Sequence, residues 1–500
     1  MEAVEVYKLV GVVLYLAALL AIGVVASRRM SDVSDYYAGG KQLGFWSVAF
    51  SARATGESGW LLLGLSGMGA MVGVQAFWVV TGEVLGVGLA WLLMARRFNR
   101  LTRRMESITV PDFLESRFGG MRSLRLVSAF CLAVFVTIYV AAQIYATGQA
   151  FSDFLGWNWY AGVFVGFAVV VAYSMSGGFV AVVWSDVFQG VLMFLGLVLL
   201  PIVGVVHAGG VGTVVDGLRA IDPALLSVLS DEGWTLIGVA GSAGLLLIGL
   251  GFLGSPQIFV RFLALRDESE VPKGMLVAVV WTLLADSGAV LTGMVGRYLL
   301  TQPGQDPEAV LGTGAESVLP QLVEVALPAL LVGLFIAIVL SAIMSTVDSL
   351  LVLASSAVVR DVYQKVLRPD TPDAALVGLS RIATLVVAGV ALAIALVATG
   401  PNQTVFWFVI FGWSGIAATF CPTLILSLFW RRFTGSGAIA AMVTGFVAVP
   451  LIKFGGPHLG QAGPVLEALG ELPPSFALSA MAGLLVSLVT TPPADVELSR

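Results

Sequence analysis

Residues 51–67 read SARATGESGWLLLGLSG. Apolar chain flanks this segment on both sides, yet it carries Arg53, Thr55, Glu57 and Ser58, with glycines at 56, 59 and 64. A plain membrane helix has no use for two opposite charges and a flexible point near its middle, because charge at bilayer depth is costly. A second interruption, GLGFLGSPQ at 249–257, sets Gly249, Gly251 and Gly254 ahead of Pro256. Proline removes a backbone donor and glycine accepts non-helical dihedrals, so both segments are expected to unwind locally. Unwound backbone is tolerated at membrane depth only where it is buried in protein or lines a wet cavity.

The rest of the chain supplies the membrane. Of 500 residues, 58% are hydrophobic and 11% charged, and the mean hydropathy is +0.96. Soluble domains average about 25% charged residues. The deficit recurs in block after block, so the chain is read as polytopic rather than as a soluble domain on one anchor. Cys131 and Cys421 both sit in apolar runs and read as small core residues, which leaves a disulfide framework unsupported. His207 and His458 are the only histidines, which argues against a His/Cys metal centre.

Stretches of about 20 apolar residues predict about thirteen spans: 7–26, 44–70, 72–95, 124–150, 155–173, 180–207, 235–263, 274–299, 321–358, 375–398, 404–430, 434–453 and 475–491. The ninth is long enough to continue beyond the bilayer. Only Lys8 precedes the first apolar run, while Arg28 and Arg29 follow it, so the first span is expected to be retained rather than cleaved as a signal peptide. Eight arginines lie in residues 95–125, around the loop between spans three and four, and further basic residues follow span one (Arg28, Arg29, Lys41), span seven (Arg261, Arg266, Lys273), span nine (Arg360, Lys365, Arg368) and span eleven (Arg431, Arg432). All these loops come after odd-numbered spans, whereas DPALLSVLSDEGW and PGQDPEAVLGTGAES on the other side are acidic. The positive-inside rule then puts the N-terminus outside and the C-terminus in the cytoplasm of a cell-membrane protein.

The two interrupted spans are five apart. This predicts two five-helix repeats, 44–207 and 235–430, each opening on a broken helix, with an extra N-terminal helix at 7–26 and two further helices within 434–491. An odd number of spans per repeat makes the second inverted, the arrangement in which transporters bind solute and ion at the breaks near the midplane. Glycines in membrane helices also serve close packing, and either segment alone would fit that role equally well.

Longer motifs accompany the breaks: SGWLLLGLSG, TVPDFLESRFG, SGGFVAVVWSDVFQG, SPQIFVRF and SAIMSTVDSLLVLASSAVVRDVY. On these the chain resembles the sodium:solute symporter family, most closely its sodium/proline branch, over most of its length. The resemblance implies an all-α membrane protein with a LeuT-type 5+5 inverted-repeat core. It implies a coupling sodium held by the carbonyls of Ala54, Glu57 and Ala342 with the hydroxyls of Ser345 and Thr346. Hard cations do take oxygen ligands, although Ser and Thr in membrane helices also bond back to their own backbone. It further implies a solute near Ser58, Trp60, Gly64 and Tyr139, with Gly254, Ser255 and Pro256 at the second break. Asp186 with Ser345, Ser349 and Asp348 would form a second cation site or an exit path, or Asp186 would be a structural carboxylate. The sequence departs from the branch where Gly56 replaces its usual aspartate, where Glu57 replaces an uncharged residue, and near Ile248, where the branch carries a tryptophan.

Charged residues inside spans are functional candidates by default: here Arg53, Glu57, Glu83, Asp186, Asp286 and Asp348. Arg53 and Glu57 are spaced to pair on an intact helix; otherwise Arg53 would meet Glu83 or Asp286, leaving Glu57 to face the ion. Gly56, Arg53, Glu83 and Asp286 are thus coupling or gating candidates. The expected activity is cation-coupled symport of a small solute such as proline, through Na+ with H+ at Glu57 as the alternative. The partners are then solute, cation and bilayer, with no nucleic acid and no organic cofactor. A channel and a transporter-derived sensor are the rival classes. No phosphate loop or nucleophile–base set points to an ATP-driven pump or an enzyme.

Overall fold

The computed structural model describes residues 3–27, 37, 39–174, 178–230, 232–398 and 403–491. Arg28 and Arg29, and Ser176 and Gly177 of the SGGFV motif, lie outside the described residues. Among the described residues, the elements that build the fold are helices. Among the described residues, eleven are long and apolar enough to cross a membrane. The other two expected spans are 44–70, which the first break divides, and 155–173, which forms a helix of 16 residues.

Helix α1 (Ala3–Ser27) precedes α2 (Phe45–Gly56), the first half of the broken helix. After the break, a wide π-helical turn (Trp60–Leu65) leads into α3 (Ser66–Val72). Gly73, at φ 59° and ψ −128°, then turns the chain toward α4 (Phe77–Leu89), which runs on through Ala90–Ala95 into α5 (Arg96–Arg104). There follow α6 (Val110–Arg117), α7 (Arg122–Leu155), α8 (Trp159–Ser174), α9 (Phe179–His207) and the short α10 (Val211–Ile221).

The second broken helix is α11 (Leu236–Leu247), a tight 3-10 turn (Ile248–Leu253) and α12 (Pro256–Ala264). Beyond it lie α13 (Val271–Leu300), α14 (Pro307–Leu311), α15 (Val318–Ala326), α16 (Ala329–Ser355, continuing to Leu367), α17 (Asp373–Val397), α18 (Val405–Phe429), α19 (Gly435–Gly455), α20 (Gly463–Leu469) and α21 (Leu472–Val489). The ninth span therefore begins at residue 329 rather than 321, because Leu327 is extended ahead of Pro328 and α15 ends there. Its expected extension is present and reaches Leu367.

Burial separates centre from periphery. Helices α16 and α18 are buried along most of their length, while α1, α17 and α21 turn residues such as Leu14, Val386 and Leu485 outward. Helix α13 runs beside α2, α3 and α4 and joins the first break to the frame. On the basic-loop side, Arg125 pairs with Asp112, Glu115 and Asp361, so the TVPDFLESRFG motif is tied to the extension of α16. The open C-terminal carbonyls of α12 are also satisfied: Asn99 donates to Phe262 and Leu265 oxygens, both at 2.8 Å, and Arg103 donates to Leu265 O at 2.7 Å.

The second break is positioned by backbone-to-backbone contact. A Cβ on Gly82 of α4 would lie 1.9 Å from Leu246 O, and one on Gly249 would lie 1.9 Å from Gly82 O. Neither neighbour is a side chain that can swing aside. Gly82→Ala is therefore expected to lower stability by about 1–3 kcal/mol through overpacking. Thermal unfolding of the purified protein checks it, and an unshifted melting temperature would contradict the contact.

Candidate functional site

The first break starts where α2 runs out of helical backbone. Glu57 N still donates to Arg53 O at 2.8 Å, but Glu57 itself is extended, at φ −97° and ψ 108°. Gln143 of α7 bridges the gap: its Nε2 donates to Ser58 Oγ at 2.9 Å, and its Oε1 accepts from Gly59 N at 3.1 Å. The Tyr139 hydroxyl, one turn away on α7, lies beside Ser58. Trp60 turns back to donate to Gly56 O at 3.2 Å, and its ring meets Phe406 edge-on at 6.0 Å. Gly64 admits that ring, since a Cβ there would lie 2.8 Å from Phe406 Cβ. Ser58, Trp60, Gly64 and Tyr139 thus gather on one side of the break, all buried.

On the other side, four of the five expected cation oxygens converge. Ser345 Oγ donates to Ala54 O at 2.8 Å and Ala342 O at 3.1 Å. Thr346 Oγ1 donates to Thr55 O at 3.1 Å and Ala342 O at 3.3 Å. The adjacent hydroxyls therefore both reach across to α2 and both bond back to their own helix. Thr55 O joins the set that sequence reading assigned to Ala54, Glu57, Ala342, Ser345 and Thr346.

The charged residues around Glu57 form a buried cluster. Arg53 pairs with Glu57 and also approaches Glu83, at 3.5 Å. Glu57, Glu83 and Asp286 each offer a carboxylate oxygen within 4.8 Å of the others. Both Asp286 oxygens lack a hydrogen-bond partner among the described residues. The guanidinium lies over Phe252 at 4.7 Å and near Trp281 at 5.7 Å, so aromatic faces shield its open sides. Gly56 makes room for this packing, because a Cβ there would come 3.1 Å from Phe252.

At the second break, Ser255 Oγ donates to Gly251 O at 2.6 Å and Pro256 opens α12. Gly254 lies against α18, where its Cβ would come 2.6 Å from Cys421 Cα. Trp413 of α18 donates to Ile248 O at 3.2 Å, and its ring packs at a tilt 4.9 Å from Phe252. An indole thus covers Ile248 after all, supplied from another helix. Gln143, Phe406 and Trp413 were not singled out from sequence. Gln143 alone left a signal there, as an amide inside an apolar span.

Asp186 is hydrogen-bonded as in the structural-carboxylate alternative, with a partner that the sequence reading did not give it. Its Oδ2 accepts from Ser51 at 2.6 Å, Thr55 at 3.3 Å and Arg261 Nη2 at 2.9 Å. Ser349 accepts from the same Arg261 nitrogen at 2.5 Å. Ser345 turns instead to Ala54, and Asp348 accepts from Ser349 N at 2.7 Å, so the four residues do not converge on one point. Arg261, assigned from sequence to the basic loop after span seven, is 1% exposed and lies inside α12. The loop placement fails because α12 runs on to Ala264, and its guanidinium turns inward to these oxygens.

Residues 36–445 match the sodium:solute symporter family. The chain belongs to that family. It is 37% identical over 482 residues to the high-affinity proline transporter PutP of Bacillus subtilis, covering 95% of this chain and 97% of that one. It is 34% identical over 489 residues to the osmoregulated proline transporter OpuE of the same organism, covering 97% and 95%. In fold, this family member superposes on a Na+-coupled sialic acid symporter in a substrate-bound outward-open state. The TM-score is 0.80, with 18% identity over 98% of this chain and 99% of the other. The symporter is accordingly an all-helical, multi-pass membrane protein with a LeuT-type fold.

Proposed function

We propose that this symporter uses a sodium gradient to accumulate proline or a closely related amino acid. The convergence of Ala54 O, Thr55 O and Ala342 O with the Ser345 and Thr346 hydroxyls at a broken helix carries the reading. Relatives named as proline transporters support the solute. A sodium entering this gap takes over the carbonyls that the two hydroxyls now hold, and the hydroxyls rotate to offer lone pairs. The family resemblance adds the Glu57 carbonyl to this set. On the opposite face, Ser58 and Gly59 stand at the N-terminal end of the second half-helix, whose partial positive charge suits a carboxylate. Trp60 and Tyr139 cover the apolar ring, while Gly254, Ser255 and Pro256 close the site from the second break.

Function here is coupling rather than covalent chemistry, and no enzymatic step is assigned. Sodium and solute grip opposite faces of one unwound segment, so each raises the affinity for the other by the same factor. In this reading 44–207 and 235–430 are the inverted repeats, the N-terminus is outside and the C-terminus is in the cytoplasm of the cell membrane.

Uptake of labelled L-proline into proteoliposomes, with and without sodium and at two pH values, tests the proposal. Thr346→Val and Ser345→Ala are each expected to raise the sodium concentration for half-maximal uptake about tenfold, the equivalent of about 1.4 kcal/mol of ion binding. Unchanged sodium dependence in both variants would remove the site. Uptake driven by a pH gradient without sodium would move coupling to a proton at Glu57.

A further inference from the structure

We propose that a fissure between α1, α7, α8 and α16 seats one aminophospholipid of the outer leaflet, which braces the helix carrying Ser345 and Thr346. Its leaflet and its effect on sodium rest on the functional reading above, whereas the site itself does not. The fissure follows from how α1 packs. Gly11 lies so close to α16 that a Cβ on it would come 2.5 Å from Gly333 C. Small residues thus let α1 lean on α16, while it barely meets α8. Val12 and Leu16 of α1, Val169 and Val170 of α8, and Leu340 and Met344 of α16 line the gap, which presents apolar surface alone. Val165 lines it too and is 40% exposed, so the gap opens toward the bilayer.

A polar chamber adjoins the fissure at one end. Leu9 and Trp157 border both, and the chamber, of about 450 Å³, is further lined by Lys8, Asp153, Phe154 and Glu324. Lys8 Nζ donates at 2.8 Å to Phe154 O, an open carbonyl at the end of α7, and pairs with Glu324 of α15. An ammonium has three N–H donors, which leaves one for a phosphate oxygen. Asp153 and Glu324 then set two carboxylates against one lysine. Asp153 accepts from Gln149 Nε2 with both oxygens, at 3.0 Å, and keeps further lone pairs. A headgroup with a phosphate and a primary ammonium matches this pattern at both charges. A purely anionic headgroup would meet the two carboxylates, and choline has no N–H to give them. Trp157 stacks on Phe151 at 5.2 Å, so that face is closed to a quaternary ammonium. Tyr7 and Tyr160 are exposed at the same end, as aromatic residues at headgroup level are.

The position links the fissure to the proposed sodium site. Leu340 and Met344 lie one turn apart on α16 and flank Ala342, and Met344 directly precedes Ser345. Tyr15 of α1 donates to Met344 Sδ at 3.8 Å, so α1 also holds this turn. An acyl chain in the fissure therefore backs α16 within a turn of the hydroxyls that reach Ala54 and Thr55. A void there would forfeit the contacts of its lining and leave that flank of the helix loose. Lipid and sodium are then linked ligands, since each favours the placement of α16 that suits the other.

Native mass spectrometry of the full-length protein tests the site, after a detergent wash from nanodiscs of phosphatidylethanolamine, phosphatidylcholine and phosphatidylglycerol in equal parts. One phosphatidylethanolamine should stay on each protein after the other lipids are stripped. Lys8→Gln should weaken its retention about tenfold, through the loss of one charge-assisted hydrogen bond. Val169→Phe, which fills the fissure away from the headgroup chamber, should weaken it comparably. If Val169→Phe does not accumulate, Lys8→Gln decides alone, because a partly exposed ion pair adds little to folding. Equal retention of the three lipids would overturn the inference, as would full retention in Lys8→Gln. In proteoliposomes, exchanging phosphatidylcholine for phosphatidylethanolamine should lower the sodium concentration for half-maximal L-proline uptake about fivefold, and should leave Val169→Phe unmoved. The same sodium dependence in both lipids would overturn the bracing of α16. Proline uptake with no sodium dependence in either lipid would instead overturn the functional reading, and lipid retention would still decide the site.

Discussion

Arg53→Met is expected to cost far more stability than Glu57→Gln, although the two residues are partners. Arg53 is the lone cation among three carboxylates, on Glu57, Glu83 and Asp286, and all four side chains are at most 2% exposed. Like charges about 4–5 Å apart repel by roughly 3–4 kcal/mol at the effective dielectric of such sites. Methionine keeps most of the side-chain volume against Phe252 and Trp281 but leaves the acids with no counter-charge. Breaking a buried pair in this way costs on the order of 3–5 kcal/mol. Glu57→Gln acts in the opposite sense, because it removes one of three competing acids and retains an oxygen for Arg53. Its effect on folding should stay within about 1 kcal/mol. Thermal unfolding in detergent, with recovery of monodisperse protein, separates the two variants. Equal losses would mean that Arg53 and Glu57 act as an isolated pair, not as part of a four-residue cluster.

The contrast explains what the sequence disclosed. The SARATGESGW segment stood out because charge and glycine interrupted an apolar run, and the break does fall at Glu57. Its partners were harder to assign. Spacing suggested Arg53 with Glu57, and Glu83 or Asp286 stood as the alternative partners, whereas the guanidinium reaches both glutamates, which only the approach of α4 decides. The second break was legible from Gly254 and Pro256, but Gly249 proved to serve close packing against Gly82. Arg261 was misplaced because a basic residue near the end of an apolar run looks the same whether it points to solvent or inward. Helix α18 left no trace as a site element. Phe406, Trp413 and Cys421 are ordinary residues of an apolar span, and only tertiary packing brings them onto both breaks.

Glu316→Ala should release the start of α18 from the loop that covers the site, and raising the pH should loosen the same contact in the unaltered protein. Glu316 lies between α14 and α15 and is 5% exposed. Its carboxyl accepts from Val405 N and Phe406 N, both at 2.8 Å, while Thr404 Oγ1 accepts from Trp407 N at 3.3 Å. Three of the open N–H groups at the helix start are thereby satisfied. Phe406 is the residue that meets Trp60 and fills the space beside Gly64, so this cap sets how tightly the first break is covered. Alanine leaves two buried N–H groups without partners, at about 1–3 kcal/mol each. Burial pushes the Glu316 carboxyl up to about 8, against the pull of its two backbone donors, with Asp153 adding to the rise. A carboxyl raised in the folded state binds more protons there than in the unfolded chain, so its contribution is present at low pH. It is lost as the pH climbs from the ordinary carboxyl range through about 8. Melting temperatures measured from pH 5 to pH 9 should therefore decline across that window in the unaltered protein and flatten in Glu316→Gln, which has no proton to lose. Hydrogen exchange at residues 405–407 should speed up over the same range. Identical pH profiles for the two proteins would show that Glu316 caps α18 without titrating, and slow exchange in Glu316→Ala would show that it does not cap the helix at all.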